Sequence, residues 1–388
     1  MRIGACLFLC FVFEVSNPRL ASPASLTQQI ARVDQAVFLT NASLVPLELS
    51  RLAANASDFP TTPTTPGFVY VWNSDFGTFE RESESLGPAF VDRANTVGKG
   101  RFELGTSYVF LDLTQIYGQT FRGRIGTVQA VDAPSGRDEP IFADDLTIQS
   151  HVLSLSATYG VTDRWDGNMF MPLVLTTLQI EEHGGGRLAR ADDSKFGVGD
   201  ILLRTKYRLL RGAWFDLATT LSLRLPSGSR DDFQGLGRTT VTPGLAISRF
   251  VGSHEVRAIL GVEVDPEDVT RSRIRYGSGV TVQPWRRVAL VCDILGNSGL
   301  VDEQVSRFFP VGEHAGDALG LGGIETQPKI GGEQVTSFLP RTDIVDLIAG
   351  LKLSVRDNAV AFVSFAVPVT SDGFRPDFAP SVGIDFGF

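Results

Sequence analysis

Hydrophobic and polar residues alternate along most of the chain after residue 100, a pattern typical of β-strands with one apolar and one polar face. In the segment 214–226, Leu221 and Leu223 share one face, whereas Ser222 and Arg224 share the other. The alternation predicts about twelve strands. These strands are 100–114, 146–160, 165–180, 197–211, 214–226, 239–251, 254–265, 272–284, 287–299, 342–354, 359–370 and 378–388.

Strand length and connection length indicate that the apolar face meets lipid. A typical soluble strand has roughly 5–6 residues, whereas a tilted strand of about 9–11 residues crosses a bilayer, and the predicted segments are of the longer kind. Longer connections at 115–145, 181–196, 227–238, 266–271, 300–341 and 371–377 alternate with short ones at 161–164, 212–213, 252–253, 285–286 and 355–358. Outer-membrane barrels have short periplasmic turns and long extracellular loops in this way. The sequence therefore predicts an all-β fold, a transmembrane antiparallel up-and-down β-barrel of about 12 strands with an irregular N-terminal segment.

Charged residues on the polar face are expected to point into the barrel lumen. Cations and anions are mixed there, which argues against a selectivity ring of one sign. Two interpretations stay open, a ladder of cross-strand ion pairs that stiffens the barrel and a polar wall along a conduit. The lumen-facing candidates are Asp200, Arg204, Lys206, Arg208, Arg224, Arg257, Glu263, Arg273, Arg275 and Asp293.

The first hundred residues differ from the barrel region. Arg2 precedes an apolar run, and small residues follow, so 1–24 is predicted to be a signal peptide. Residues 25–99 form an N-terminal segment that is expected to lie in the periplasm or to plug the lumen, and 100–388 form the outer-membrane β-barrel. Within the N-terminal segment we expect a helix near 25–36 and strand-like pieces at 67–72 and 77–80.

Composition excludes several classes of protein. The chain has 388 residues, a formal net charge of −9 and 43% hydrophobic residues. The acidic balance argues against nucleic-acid binding, and the apolar content argues against whole-chain disorder. After the first 20 residues no apolar stretch is long enough for a helical membrane span. If the signal peptide is removed, Cys292 is the one remaining cysteine, so no intramolecular disulfide is expected.

No motif for catalysis, metal binding or a cofactor is recognised. The Cys and His residues lack zinc-ligand spacing, and no phosphate-binding glycine loop with lysine occurs. A hydrolase would need a serine activated by a histidine. His151 shares a predicted strand with Ser154 and Ser156 but falls on the opposite face from both, so we predict that the protein is not an enzyme and has no cofactor.

Four stretches resemble the bacterial family called "putative MetA-pathway of phenol degradation", a group of predicted outer-membrane transporters. They are 97–105 (VGKGRFELG), 159–166 (YGVTDRWD), 197–207 (GVGDILLRTKY) and 223–228 (LRLPSG). The resemblance covers most of 90–388 and is clearest before residue 260. It implies a barrel fold and uptake of aromatic or other hydrophobic compounds, and it carries no catalytic or binding residues over to this chain.

The sequence therefore predicts an outer-membrane transporter or channel for small, hydrophobic or aromatic compounds. The alternative is a structural or adhesive barrel that acts through long extracellular loops, 300–341 above all. The expected partners are outer-membrane lipid, a small-molecule solute and the barrel-assembly machinery, which would read the C-terminal strand ending at Phe388. The expected location is the bacterial outer membrane, reached through the periplasm.

Overall fold

The computed structural model describes residues 24–38, 56–58, 61–65, 67, 70–73, 78–81, 85–116, 118–120, 142–184, 187–301, 303–309, 333–339, 341–356 and 358–388. One helix, α1 (Leu26–Phe38), precedes the strands. The strands are β1 (Tyr70–Asn73), β2 (Thr78–Arg81), β3 (Phe102–Ile116), β4 (Gln119–Thr120), β5 (Phe142–Thr162), β6 (Trp165–Gly184), β7 (Arg187–Val198), β8 (Ile201–Arg211), β9 (Asp216–Leu225), β10 (Thr240–Val251), β11 (His254–Glu263), β12 (Arg273–Trp285), β13 (Val288–Gly299), β14 (Glu303–Phe309), β15 (Glu333–Leu339), β16 (Asp343–Arg356), β17 (Ala359–Pro368), β18 (Phe374–Pro376) and β19 (Ala379–Gly387).

Twelve strands close into one antiparallel barrel. The order around the barrel is β3, β5, β6, β8, β9, β10, β11, β12, β13, β16, β17 and β19. The sheet closes on β3, which pairs with β5 on one side and with β19 on the other. Each of these strands lies beside its neighbours in sequence, so the predicted up-and-down topology is confirmed. A closed sheet leaves no unpaired edge, as a membrane-spanning sheet requires.

The inner and outer surfaces of the barrel have opposite chemistry. On β8, Lys206 is fully buried, whereas the adjacent Tyr207 is 44% exposed. On β9, Leu221 is 45% exposed, whereas Arg224 is buried. Because successive side chains of a strand point to opposite faces, the apolar side chains cover the outside and the ionic ones lie within. This arrangement suits lipid outside the barrel and confirms a transmembrane rather than a soluble sheet.

Aromatic side chains gather on the outer surface at the end of the barrel with the short turns, which we call the short-turn end. Trp214 lies in the turn between β8 and β9 and is 72% exposed, and Trp285, at the end of β12, is 67% exposed. Tyr159, Trp165 and Phe388 are exposed near the same end. Amphipathic rings at this level are typical of a membrane–water interface.

At the opposite end, the long-loop end, several strands extend beyond the predicted limits. Residues predicted as the link 181–196 belong to the end of β6 and to β7, which pair in an antiparallel hairpin. Both faces of β7 are at least partly exposed, so polar residues occur on both and hide the alternation. Part of the predicted loop 300–341 forms the paired strands β14 and β15. The predicted longer links therefore contain paired strands of their own outside the twelve strands of the barrel.

The N-terminal elements correspond to the predicted pieces. The helix expected near 25–36 is α1, and the two strand-like pieces are β1 and β2, which pair with each other. No helix among the described residues is long and apolar enough to cross a membrane. The predicted signal peptide falls almost wholly outside the described residues.

Candidate functional site in the barrel interior

The ten lumen-facing candidates lie on the inner wall, and all but Arg208 fall into two groups. Arg208 Nη2 donates instead to the carbonyl oxygen of Asp163 in the first short turn, at 3.0 Å. Asp200, Lys206, Arg208, Arg224, Arg257, Glu263, Arg273 and Asp293 are buried, and Arg204 and Arg275 are partly buried. One group contacts residues 85–97, which we call the lumen segment, or the nearby residues 61–65. The other group surrounds Asp58 nearer the long-loop end. Both groups thus bind the N-terminal part of the chain, in addition to one another.

The centre of the lumen segment is bound by an ion pair of the wall. Arg257 on β11 pairs with Asp293 on β13, and neither side chain is exposed. The Asp293 carboxylate also accepts hydrogen bonds from the backbone amides of Phe90 (3.0 Å) and Val91 (3.2 Å). Arg257 Nε donates to the carbonyl oxygen of Val91 at 3.0 Å. The backbone groups of an irregular segment are thereby satisfied inside the barrel, as burial requires.

Lys206 on β8 binds the next part of the same segment. Its Nζ donates to the carbonyl oxygen of Arg93 (3.0 Å), to Asp92 Oδ1 (3.2 Å) and to Thr65 Oγ1 (2.7 Å). Burial alone raises the pKa of Asp92, but Lys206 and a hydrogen bond from Thr64 outweigh it, so the pKa lies below its ordinary value. Asp92 is therefore ionised, and one buried ammonium group connects two separate stretches of the N-terminal segment.

Arg93 extends from the lumen segment in several directions. Its side chain is fully buried, and its Nε and Nη2 donate to the carbonyl oxygens of Thr65 and Gly67. Its Nη1 lies 3.5 Å from the carboxylate of Glu255 on β11. A buried guanidinium group with these partners fixes the relative positions of three stretches of chain, because an unpaired charge there would be costly.

The end of the lumen segment is bound to the first short turn. Val97 N donates to Asp166 Oδ2 at 3.0 Å, and Lys99 N donates to Asp163 Oδ1 at 3.1 Å. A Cβ atom added at Gly160 would lie 1.8 Å from the carbonyl oxygen of Gly98. Gly160 therefore allows the chain to pass against β5 just before it enters β3.

The second group surrounds Asp58. Arg224 Nη2 donates to Oδ1 of Asp58 at 2.9 Å, and Arg275 Nη2 and Asn297 Nδ2 donate to Oδ2 at 2.5 and 2.8 Å. Arg273 Nη1 lies 3.8 Å from the same Oδ2. Burial raises the pKa of Asp58, but Arg275, Arg224 and Arg273 together bring it well below its ordinary value. Asp58 is therefore ionised when it is bound among these arginines.

Asp200 holds the connection 226–239 inside the barrel. It lies between β7 and β8, and its carboxylate accepts hydrogen bonds from Gly228 N (3.1 Å) and Leu236 N (2.7 Å). In this connection Phe233 is buried and has a φ of 59°. A left-handed conformation is uncommon for a bulky residue, so the contacts of Phe233 must compensate for the strain.

An apolar cluster lies beside the Asp58 group at the long-loop end of the interior. It contains Leu26, Ile30 and Val33 of α1, Phe233 of the connection 226–239, and residues of the inner wall. The wall residues are Leu113, Leu146, Ile148, Leu178, Ile180 and Phe374. The inner surface is thus polar on one side and partly apolar on the other, which the sequence-based selection of charged candidates did not reveal.

Sequence reasoning missed the partners that the N-terminal segment supplies. Asp58, Asp92 and Arg93 were not selected, because the segment shows no periodicity that would assign a facing direction to its side chains. One signal was present. The apolar run 86–91, which ends directly at Asp92 and Arg93, is unusual for a solvated linker and is typical of a buried stretch.

The residues considered for hydrolysis lie on opposite faces of β5. Ser154 and Ser156 are buried on the inner face, whereas His151 lies on the outer side, where Tyr108 Oη is 2.7 Å from its Nδ1. This geometry offers no serine–histidine pair on this strand. Among the residues that the structure describes, no group of three His, Cys, Asp or Glu side chains is arranged to hold a metal ion.

A closed antiparallel barrel with an apolar outer surface, an aromatic belt and an ionic interior defines the class of protein: the chain is a bacterial outer-membrane β-barrel. A family model described as "Putative MetA-pathway of phenol degradation" matches residues 129–277. The resemblance is confirmed over that range, which contains the motifs at 159–166, 197–207 and 223–228. The motif at 97–105 lies outside it.

Solved outer-membrane proteins are also similar to the chain. An outer-membrane channel from Pseudomonas putida F1 has 16% identity and a TM-score of 0.45, with 76% of this chain and 98% of that chain covered. The NanC porin has 7% identity and a TM-score of 0.40, with coverage of 74% and 98%. A mutant of the TodX monoaromatic hydrocarbon channel has 10% identity and a TM-score of 0.35, with coverage of 76% and 91%. A search of curated proteins found no match.

Proposed function

We propose that the protein is an outer-membrane channel for small, hydrophobic or aromatic compounds, and that residues 25–99 act as a lumen plug whose movement opens it. One observation carries the proposal. The lumen segment has hydrogen-bonding partners on strands around the barrel, from Asp166 on β6 to Lys352 on β16, whose Nζ donates to the carbonyl oxygen of Pro88 at 2.8 Å. A segment bound on both sides of a lumen blocks passage until it moves.

The lumen segment makes both polar and apolar contacts with the wall. Leu86 packs with Ala289 and Val360, and Ala89 and Phe90 pack with Val291 and Ile348. The polar contacts favour reversible binding, because polar groups released from one another can be hydrated when the segment moves into water. The substrate class is supported by the family description, which refers to phenol degradation.

A reversible cross-link between plug and wall tests the proposal. Ser248 Oγ on β10 donates to Asn95 Oδ1 at 2.9 Å, so Asn95→Cys with Ser248→Cys places two thiols close together. The exposed Cys292 is first replaced by serine. We expect oxidation to lower single-channel conductance in planar bilayers at least tenfold and reduction to restore it. Thiol titration measures the extent of cross-linking.

A matched control restrains the wall alone. Ser364 on β17 and Ser381 on β19 are register partners, and their Oγ atoms are 2.5 Å apart. Ser364→Cys with Ser381→Cys should form a disulfide without any effect on conductance. The proposal is wrong if the plug cross-link leaves conductance unchanged, or if neither the full chain nor a chain without 25–99 conducts.

Accumulation of labelled phenol by intact cells, with and without the protein, tests the substrate class.

The alternative, a structural or adhesive barrel, depends on the long-loop end. The paired strands β14 and β15 form a hairpin there, within the region that the sequence singled out. Deletion of 303–339 separates the two functions. Loss of cell adhesion with unchanged conductance would favour the adhesive function, whereas unchanged adhesion would exclude this hairpin as the adhesive element.

A further inference from the structure

Three arginines of the wall meet one carboxylate of the N-terminal segment. Arg224 on β9 and Arg273 and Arg275 on β12 lie within 4 Å of Asp58, and Glu263 is shared by Arg273 and Arg275. Asp200 lies 3.7 Å from Arg224. Glu263 and Asp200 belong to the barrel wall, whereas Asp58 does not. Arg238 adjoins the cluster and pairs with Asp265 at 3.4 Å, so it does not change the balance of charge. Among the described residues, three guanidinium groups therefore face two carboxylates if Asp58 leaves, and the site has one excess positive charge.

The same cluster has hydrogen-bond donors that are not used. Arg224 Nε and Arg273 Nη1 are buried and have no hydrogen-bond partner among the described residues. A buried donor without a partner costs free energy comparable with a lost hydrogen bond. Guanidinium groups bind carboxylates through two parallel hydrogen bonds, so the unused donors favour a further oxygen ligand of this type.

The neighbourhood of Asp58 is apolar on one side. Ala56 packs against the apolar cluster that contains Ile30 and Phe233, and two residues later Asp58 reaches the arginines. The stretch 56–58 therefore presents an apolar group and a carboxylate to two adjoining surfaces. A small apolar acid, such as an aromatic carboxylate, presents the same two groups.

We propose that Arg224, Arg273 and Arg275 form a binding site for the carboxylate of a small apolar acid, and that Asp58 occupies this site as an internal competitor. Binding of the acid displaces Asp58 and loosens the N-terminal segment. The release step rests on the proposed function, because it presumes that the segment closes a channel. The binding step does not, because it concerns only the arginines and the anion.

Binding of benzoate to the full protein in detergent tests the site, with benzamide as a neutral probe of the same shape. Asp58→Asn removes the internal carboxylate and keeps its size. We expect benzoate to bind Asp58→Asn at least tenfold more tightly than it binds the wild type, with no such difference for benzamide. The added change Arg275→Gln should abolish the gain. Calorimetric titration measures each affinity, and gel mobility with and without heating verifies folding of each variant.

Glu181→Gln is the matched control. Glu181 on β6 also pairs with an arginine, Arg190 on β7, but it lies outside the Asp58 group. Its substitution should leave benzoate affinity within twofold of the wild type. Equal benzoate affinity in Asp58→Asn and wild type would overturn the proposal, as would an equal gain for benzamide. If Asp58→Asn does not fold, limited proteolysis of the wild-type protein provides the test. Benzoate, but not benzamide, should accelerate cleavage near 56–65. Equal cleavage rates with the two compounds would refute the site.

Failure of this proposal and failure of the channel are distinguishable. If the protein never conducts but its Asp58→Asn variant binds benzoate tightly, the anion site is supported and the channel is refuted. If the protein conducts and its benzoate affinity does not depend on Asp58, the channel is supported and the anion site is refuted.

Discussion

Arg257 and Asp293 form a fully buried ion pair across two strands of the barrel wall, and both bind the backbone of Val91. A wall that only stiffened itself would need the pair and nothing more. The additional hydrogen bonds to the lumen segment show that the pair also positions residues outside the wall. Its two roles are therefore coupled, and a change in either partner affects the wall and the segment together.

Asp293→Asn is expected to destabilise the folded protein by about 3–5 kcal/mol, because it leaves the Arg257 guanidinium buried without a counter-charge. Proteolysis within 85–97 should accelerate as well, since Phe90 and Val91 lose a charged acceptor. Urea titration followed by gel mobility measures the stability. Glu267→Gln, an exposed carboxylate in a loop, is the control and should change neither quantity. Unchanged proteolysis in Asp293→Asn would mean that the pair does not hold the segment.

Closure of the lumen should depend on pH through Asp58. Its pKa is lowered in the folded protein, so the ionised form stabilises the closed state at all pH values above its ordinary pKa of about 3.9. The stabilisation is lost as the pH falls below that value towards the lowered pKa. We expect wild-type conductance to stay constant from neutral pH to about pH 4 and to rise below it.

The difference between the conductance–pH profiles of Asp58→Asn and the wild type isolates the effect of Asp58 from that of other titrating groups. The variant should conduct more than the wild type at neutral pH, and the difference should shrink as the wild-type carboxylate becomes protonated. A difference that stays constant from pH 7 to about pH 3 would contradict the role of Asp58.

Charge on the outer surface should be tolerated only near the ends of the strands. Leu221 lies near the middle of β9, and an arginine there should cost about 2–4 kcal/mol in a bilayer. Leu225, the last residue of β9, shares its face, and Leu225→Arg should cost about 0–1 kcal/mol. Folding titrations in lipid vesicles measure both values. Equal costs at the two positions would argue against a bilayer around this strand.

The side chain of Phe388 is expected to serve assembly rather than stability. Its backbone pairs with Phe102 in both directions, at 2.8 and 3.2 Å, while its side chain is exposed. Phe388→Ala should therefore leave the unfolding temperature of the purified barrel unchanged and lower the yield of folded barrel in the outer membrane several-fold. Phe378→Ala, at another exposed phenylalanine, is the control. Equal yields for the two variants would indicate that the assembly machinery does not read Phe388.

The barrel strands could be predicted closely because each follows a local rule. Residues 254–265 were predicted as a strand, and β11 occupies His254–Glu263. Lipid on one side and an ionic interior on the other impose alternation on every such strand. The period of two residues is therefore visible in the sequence of each strand by itself. The same rule fails for β7, because polar and apolar residues are mixed on one face. Ala189 and Ala191 pack against the apolar cluster there, whereas Asp193 on the same face meets Gln29 of α1.

The sequence by itself determined the strands, their alternating faces and the set of ionic residues on the inner wall, because alternation is a property of a single strand. Only the tertiary structure decided what these residues contact. Lys206 with Asp92, and Arg224 and Arg275 with Asp58, are separated by more than a hundred residues along the chain. Such pairs depend on how an aperiodic segment lies inside a closed barrel, and no local pattern encodes that placement.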